Sequence, residues 1–153
     1  MEFIKKQSVG FWFYLITGVL AIISLGVYIA NVNTAYYRDM NTTVVILLSA
    51  AIVFVLAALI LPQLMKNDIG QIVVDACRVG TTGLLILACT TFISMRVESF
   101  GYIFGSNLEL GNTAATTAAN QAVLGIVLMA VTWLISLLAC IFGIVRKEMV
   151  KDA

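Results

Sequence analysis

Apolar residues fill this chain in four long blocks, and charge is confined to the gaps between them. No Asp, Glu, Lys or Arg occurs from Gln7 to Tyr37, Met40 to Met65, Val79 to Met95 or Leu110 to Val145. A helix that crosses the hydrocarbon core of a bilayer needs about 20 mostly apolar residues. Each block holds such a run or comes within a few residues of one. The pattern predicts an all-α membrane protein, a four-transmembrane-helix bundle in a single domain over 1–153. The spans are expected at roughly 10–31, 43–65, 72–97 and 118–145.

Composition points the same way. Hydrophobic residues make up 61% of the chain and charged residues 11%, against about 25% charged in a soluble domain. A soluble fold could not hide four such blocks. The net charge of +1 gives no basis for nucleic-acid binding, which needs clustered Lys and Arg. Lys5 and Lys6 precede the first block as they would in a signal peptide. The run is too long for a typical signal core and has no clear small-residue cleavage site, so it reads as a retained helix.

Basic residues set the expected orientation. With a cytoplasmic N-terminus, the inner side carries Lys5, Lys6, Lys66, Arg78, Arg146, Lys147 and Lys151, and the outer side only Arg38 and Arg96. Positive charge accumulates on the cytoplasmic side of short loops. Both termini are therefore expected in the cytoplasm. Phe11 to Tyr14 at one end of span one, and Tyr28, Tyr36 and Tyr37 near the other, fit the two interfacial aromatic belts. Pro62 falls near the inner end of span two, where it is expected to end or kink the helix.

The third block is short, at about 26 Å of helix. Arg78 and Arg96 at its ends are expected to extend their charged heads toward opposite interfaces. Asp75 and Arg78, at i and i+3, share a helical face. With Thr82 and Arg96 they form a candidate polar track, since ionisable groups inside a membrane are costly and tend to be functional. A pair hydrated at the inner interface is the plainer reading.

Two further surfaces stand out. The segment between spans three and four carries Phe100, Tyr102, Phe104, Asn107, Glu109 and Asn112, a candidate outer recognition surface of aromatic and amide groups. Ser106 and Glu109 have the spacing of a capping box, which allows a short interfacial helix, and Asn112 is placed to cap the fourth helix; a plain solvated loop is the alternative. In span four, Ser136, Ala139, Cys140 and Gly143 form overlapping small-xxx-small pairs, a candidate helix-packing face within the bundle or between subunits.

Catalytic chemistry finds little purchase. There is no histidine, so the usual serine-hydrolase base is missing. Cys77, Cys89 and Cys140 form no CxxC motif, and the acids are too dispersed for a metal site. No cofactor is expected.

Three resemblances bear on the reading. The span count is similar to that of small multidrug-resistance transporters, but the membrane-embedded glutamate of their first helix has no counterpart here. Gly80-Thr81-Thr82-Gly83 and Thr90-Thr91-Phe92-Ile93-Ser94 resemble the third helix of fluoride channels, with the spacing altered and the first-helix arginine absent. Thr34-Ala35-Tyr36-Tyr37 with Asp39-Met40-Asn41, and Phe104-Gly105-Ser106 with Leu108-Glu109 and Gly111-Asn112, resemble uncharacterised four-helix membrane proteins of Gram-positive gut-type bacteria. That resemblance implies a bacterial inner membrane and a link to sugar uptake or processing. The expected function is a non-enzymatic accessory or scaffold subunit, partnered by lipid and by copies of itself or a larger complex. A small oligomeric carrier or channel is the alternative, with an enzyme last.

Overall fold

The computed structural model describes residues 8–64 and 68–142. It contains four helices, each long and apolar enough to cross a membrane: α1 Val9–Val32, α2 Thr42–Leu64, α3 Asp68–Gly105 and α4 Thr113–Ile141. Local chemistry marks three of the four starts. The Ser8 side chain accepts from the Phe11 N–H at the head of α1. Asn41 Oδ1 accepts from the Thr43 N–H at 2.9 Å. Asn112 accepts from both Ala114 and Ala115, the N-cap role that its position predicted. Pro62 lies inside the final turn of α2, where that helix is close to its end.

The helices form a ring in which α1 packs on α2 and α4, and α3 packs on the same two. The α1–α3 diagonal is crossed by side chains: the Tyr28 and Phe92 rings meet edge to face with centroids 5.1 Å apart. Leu48, Leu85 and Met129 fill the space around them. Small residues let the helices approach. A Cβ on Gly125 would stand 3.1 Å from the Phe92 ring, and one on Gly80 would stand 2.7 Å from Phe54.

The distribution of polarity is inverted relative to a soluble bundle. Ile16, Ile22, Ile46, Val53, Leu124 and Leu134 are exposed, while Thr17, Ser24, Asn31, Arg96, Thr132 and Ser136 are buried. Hydrocarbon offers no hydrogen bonds, so polar side chains turn inward and find partners there.

The structure corrects the sequence expectation for α3. It does not end near residue 97. It continues to Gly105, giving about 57 Å of helix. The expectation treated the end of the apolar block as the end of the helix, yet nothing from Val97 to Gly105 breaks helical hydrogen bonding. Gly101 costs only about 1 kcal/mol in a helix interior. The connection to α4 is therefore 106–112. The Ser106–Glu109 spacing caps no helix. Ser106 Oγ donates to the Tyr102 carbonyl at 2.7 Å and accepts from the Leu108 N–H, and the turn closes at Gly111 with φ +82.

Candidate functional site: two arginine clusters on α3

Arg96 lies in the last third of α3 with its side chain fully buried. Its guanidinium makes a two-pronged ion pair with Asp39, Nη1 donating at 2.6 Å and Nη2 at 3.0 Å. Its Nε donates to Asn31 Oδ1 at 3.2 Å, and the Asn31 amide donates onward to the Ala118 carbonyl of α4 at 2.8 Å. The Tyr37 ring lies 3.7 Å from the guanidinium carbon and the Phe92 ring 5.3 Å. One side chain thus joins α3, α1, the α1–α2 connection and, through Asn31, α4. The planar fork of arginine suits this two-pronged pairing, and aromatic faces add cation–π attraction.

Arg96 does reach the connection at this end of the bundle, where it meets protein groups and is itself buried. A long cation extends outward when its only alternative is hydrocarbon. Here the neighbouring connection delivers a carboxylate and an aromatic face, and α1 delivers the Asn31 amide. Tyr28 fixes that connection from below: its hydroxyl accepts from the Asn41 N–H at 2.9 Å and donates to the Asn41 carbonyl at 3.1 Å. Asn31, Tyr37 and Asp39 were missed by sequence reasoning. The available signal was Asp39, the one acid between Glu2 and Asp68.

Arg78 forms the second cluster, near the opposite end of α3. Its Nη2 donates to the carbonyls of Ala139, Cys140 and Phe142 at 2.9, 2.8 and 2.8 Å. The last carbonyls of a helix lack intrahelical partners and carry partial negative charge, so Arg78 caps α4. Nη1 also pairs with Asp75 at 2.8 Å; the Arg78 side chain is 11% exposed and that of Asp75 68%. The pair is lopsided, with a sheltered cation and a hydrated carboxylate. Exposure on the Asp75 side makes its contribution small.

Thr82 belongs to this cluster. Ser136 Oγ is 3.2 Å from Thr82 Oγ1, and the Cys140 thiol is 3.6 Å from the same oxygen and 3.7 Å from the Tyr14 hydroxyl. Asp75, Arg78 and Thr82 are thus brought together, but Arg96 is not. It lies 14 residues beyond Thr82, about 21 Å along the helix, among different partners. The track predicted on α3 is two separate clusters, each tied to other helices.

The predicted outer surface is divided as well. Phe100 and Phe104, one helical turn apart on α3, have ring centroids 5.9 Å apart, while Tyr102 lies on another side of the helix. Asn107 is in the connection, where its carbonyl accepts from the Leu110 N–H. Glu109 accepts from the Asn112 amide at 2.6 Å and from the Tyr36 hydroxyl at 3.4 Å. The two connections at this end are thereby linked. Burial, then the neighbouring Glu109 charge and its hydrogen bond, hold the Tyr36 hydroxyl above the ordinary tyrosine range. Burial raises Tyr37 also, opposed by the positive charge of Arg96.

On α4, Ser136 and Ala139 are buried inside the bundle and Cys140 is half-buried. Gly143 lies outside the described residues. Among the described residues no group of three or more His, Cys, Asp or Glu is placed to hold a metal ion. Comparison with known protein families, curated proteins and solved structures finds no match to this chain.

Proposed function

We propose that this protein is a non-enzymatic, multi-pass protein of the bacterial cytoplasmic membrane that serves as an accessory or scaffold subunit of a membrane assembly. The observation that carries the reading is how the two arginines of α3 are used. Arg96 is bonded to Asp39 and Asn31, and Arg78 to Asp75 and to three carbonyls at the end of α4, those of Ala139, Cys140 and the C-cap Phe142. Transport proteins keep polar groups near the midplane available to a passing solute. Here these groups hold helices together. Seven basic residues against two support an orientation with both termini, and the connection at Lys66, in the cytoplasm. The likeness of the 34–41 and 104–112 segments to four-helix proteins of gut-type bacteria supports the bacterial membrane and a tie to sugar uptake.

Two measurements test this reading. The chain is purified from native membranes in mild detergent, and separately reconstituted in vesicles for solute-flux assays. A larger membrane protein that co-purifies stoichiometrically, with no flux from the chain alone, is the expected result. Flux abolished by Arg96→Met in a protein that still folds would overturn it in favour of a carrier. For orientation, single cysteines replace residues 4, 107 and 150 in a chain lacking Cys77, Cys89 and Cys140. External labelling at 107 alone is expected, and labelling at 4 or 150 with protection at 107 reverses the topology.

A further inference from the structure

A cleft of about 340 Å³ opens where the α1–α2 connection meets the first turns of α4. Thr34 and Tyr36 line it from the connection, Thr113 and Thr117 from α4, and Ala35, Ala114 and Ala118 complete it. We infer that this cleft binds a neutral, polyhydroxylated ligand: a sugar ring, either free or carried as a lipid headgroup. The inference goes beyond the accessory role, since a ligand site within this chain needs no partner protein. The ligand class follows from the lining side chains alone.

Three observations carry it. First, the lining holds polar groups that the fold leaves unused. Thr81, Thr90, Thr116 and Thr132 each donate to a carbonyl one turn back. The Thr113 and Thr117 hydroxyls have no hydrogen-bond partner among the described residues. They lie one turn apart on the same face of α4, and both residues are exposed. Thr34 Oγ1 donates to the Asn31 carbonyl at 2.8 Å and accepts from the Tyr37 N–H at 3.4 Å, which leaves it room to accept once more. Second, these groups can both donate and accept, and no charged side chain lines the cleft. Glu109, which reaches Tyr36 from outside the lining, is already held by the Tyr36 hydroxyl and the Asn112 amide. A carboxylate or phosphate brings acceptors alone and an ammonium donors alone, and either would lack a counter-ion here. A hydroxyl supplies both roles without charge. Third, Ala35, Ala114 and Ala118 give the cleft methyl groups, and Tyr36 gives it an aromatic ring. The C–H faces of a sugar ring pack against such groups, whereas a small ion gains nothing from them.

The lining is held in place before any ligand arrives. The Tyr36 hydroxyl donates to Glu109 at 3.4 Å, Thr34 is fixed by its two bonds, and the Ala118 carbonyl takes the Asn31 amide at 2.8 Å. Asn31 in turn accepts from Arg96, so the cleft is joined to the buried ion pair. Such pre-ordering lowers the cost of binding. The volume lies at the small end of ligand sites, which run from about 300 to about 1,000 Å³. Because Thr113, Ala114 and Thr117 are exposed, the cleft is open, and the dissociation constant should be weak, about 1 mM.

Full-length protein in phosphatidylcholine nanodiscs, which carry no sugar, provides the test. Free glucose and galactose are scored by saturation-transfer NMR. A glucosyl diacylglycerol added to the nanodiscs is scored by native mass spectrometry. Saturable binding of at least one probe is expected; free sugar alone identifies a soluble ligand, and glycolipid alone a headgroup. Thr117→Val removes one hydroxyl while keeping the shape and should weaken binding about tenfold, equivalent to ~1.4 kcal/mol. Ala114→Leu fills the cleft and should abolish binding. Both positions are exposed, so helical content and unfolding of the variants should match the parent. Concentrated sugar also favours folded proteins through exclusion from their surface, an effect that both variants would share with the parent. A folded Ala114→Leu protein that binds as well as the parent overturns the proposal. So does the absence of binding by every probe, or inorganic phosphate binding as tightly as sugar. Sugar bound by a chain that co-purifies with no other protein keeps the site and defeats the accessory role. A co-purifying membrane protein with no sugar bound does the reverse.

Discussion

Arg96 and Arg78 sit on the same helix, bound the same charge-free block, and differ in what neutralises them. Arg96 is fully buried and meets a formal negative charge, Asp39, whose own side chain is 44% exposed. Arg78 meets the partial charges at the end of α4, with Asp75 hydrated beside it. The first arrangement is an ion pair that pins a connection; the second is a helix cap. Burying a cation is tolerable where the guanidinium is hydrogen-bonded: Arg96 uses Nε and both Nη atoms, and Arg78 both Nη atoms while its buried Nε has no partner. The consequence of losing a partner should therefore differ sharply between the two ends.

The largest effect is expected at Asp39. Asp39→Ala leaves Arg96 charged and buried without its counter-ion, at a cost of about 3–5 kcal/mol, read as lost stability to detergent or chemical unfolding in bicelles. Arg96→Met should cost less, about 1–3 kcal/mol, because Asp39 can turn to water and the loss is chiefly the Asn31 contact and cation–π packing. If the arginine substitution proves the more damaging, the account of Arg96 as a buried charge needing Asp39 is wrong.

At the other end, Arg78→Ala strips the Ala139, Cys140 and Phe142 carbonyls at the end of α4 of their donor and should cost about 2 kcal/mol. The loss should be local, with faster amide exchange in the last turns of α4 and little change near Asn31. Asp75→Asn should change stability by no more than about 1 kcal/mol. A loss at Asp75 as large as that at Arg78 would recast this cluster as an ion pair like the first and erase the contrast.

The smallest effect is a pH dependence at the Arg96 end. The raised Tyr36 hydroxyl binds its proton more tightly folded than unfolded. Its contribution is complete below the ordinary tyrosine pKa of about 10 and is lost as pH rises through the higher folded value. Alkaline titration followed by tyrosine absorbance should show Tyr36 titrating late, and Tyr36→Phe should flatten the stability profile above about pH 10. An unchanged profile in that variant would remove the Glu109 contact from the account.

The chain alone determined the number and approximate placement of the helices, because a 20-residue interval without charge has few stable solutions beside a spanning helix. It also determined the Asn112 cap, a local effect of one side chain on the next turn. It overstated how far polarity limits helices, since α3 runs on to Gly105 past Arg96 and Glu98. It could place Arg78 on a face with Asp75 and Thr82, all within two turns of one helix. It could not place Arg96 against Asn31 and Asp39, because those partners are 65 and 57 residues away and meet it only once the helices close into a ring. Nor could it decide whether the Ser136 and Ala139 face of α4 packs within the bundle or against a second subunit. Tertiary packing turned both residues inward. Spacing along a chain fixes which residues share a face; which face meets which is a property of the assembled bundle.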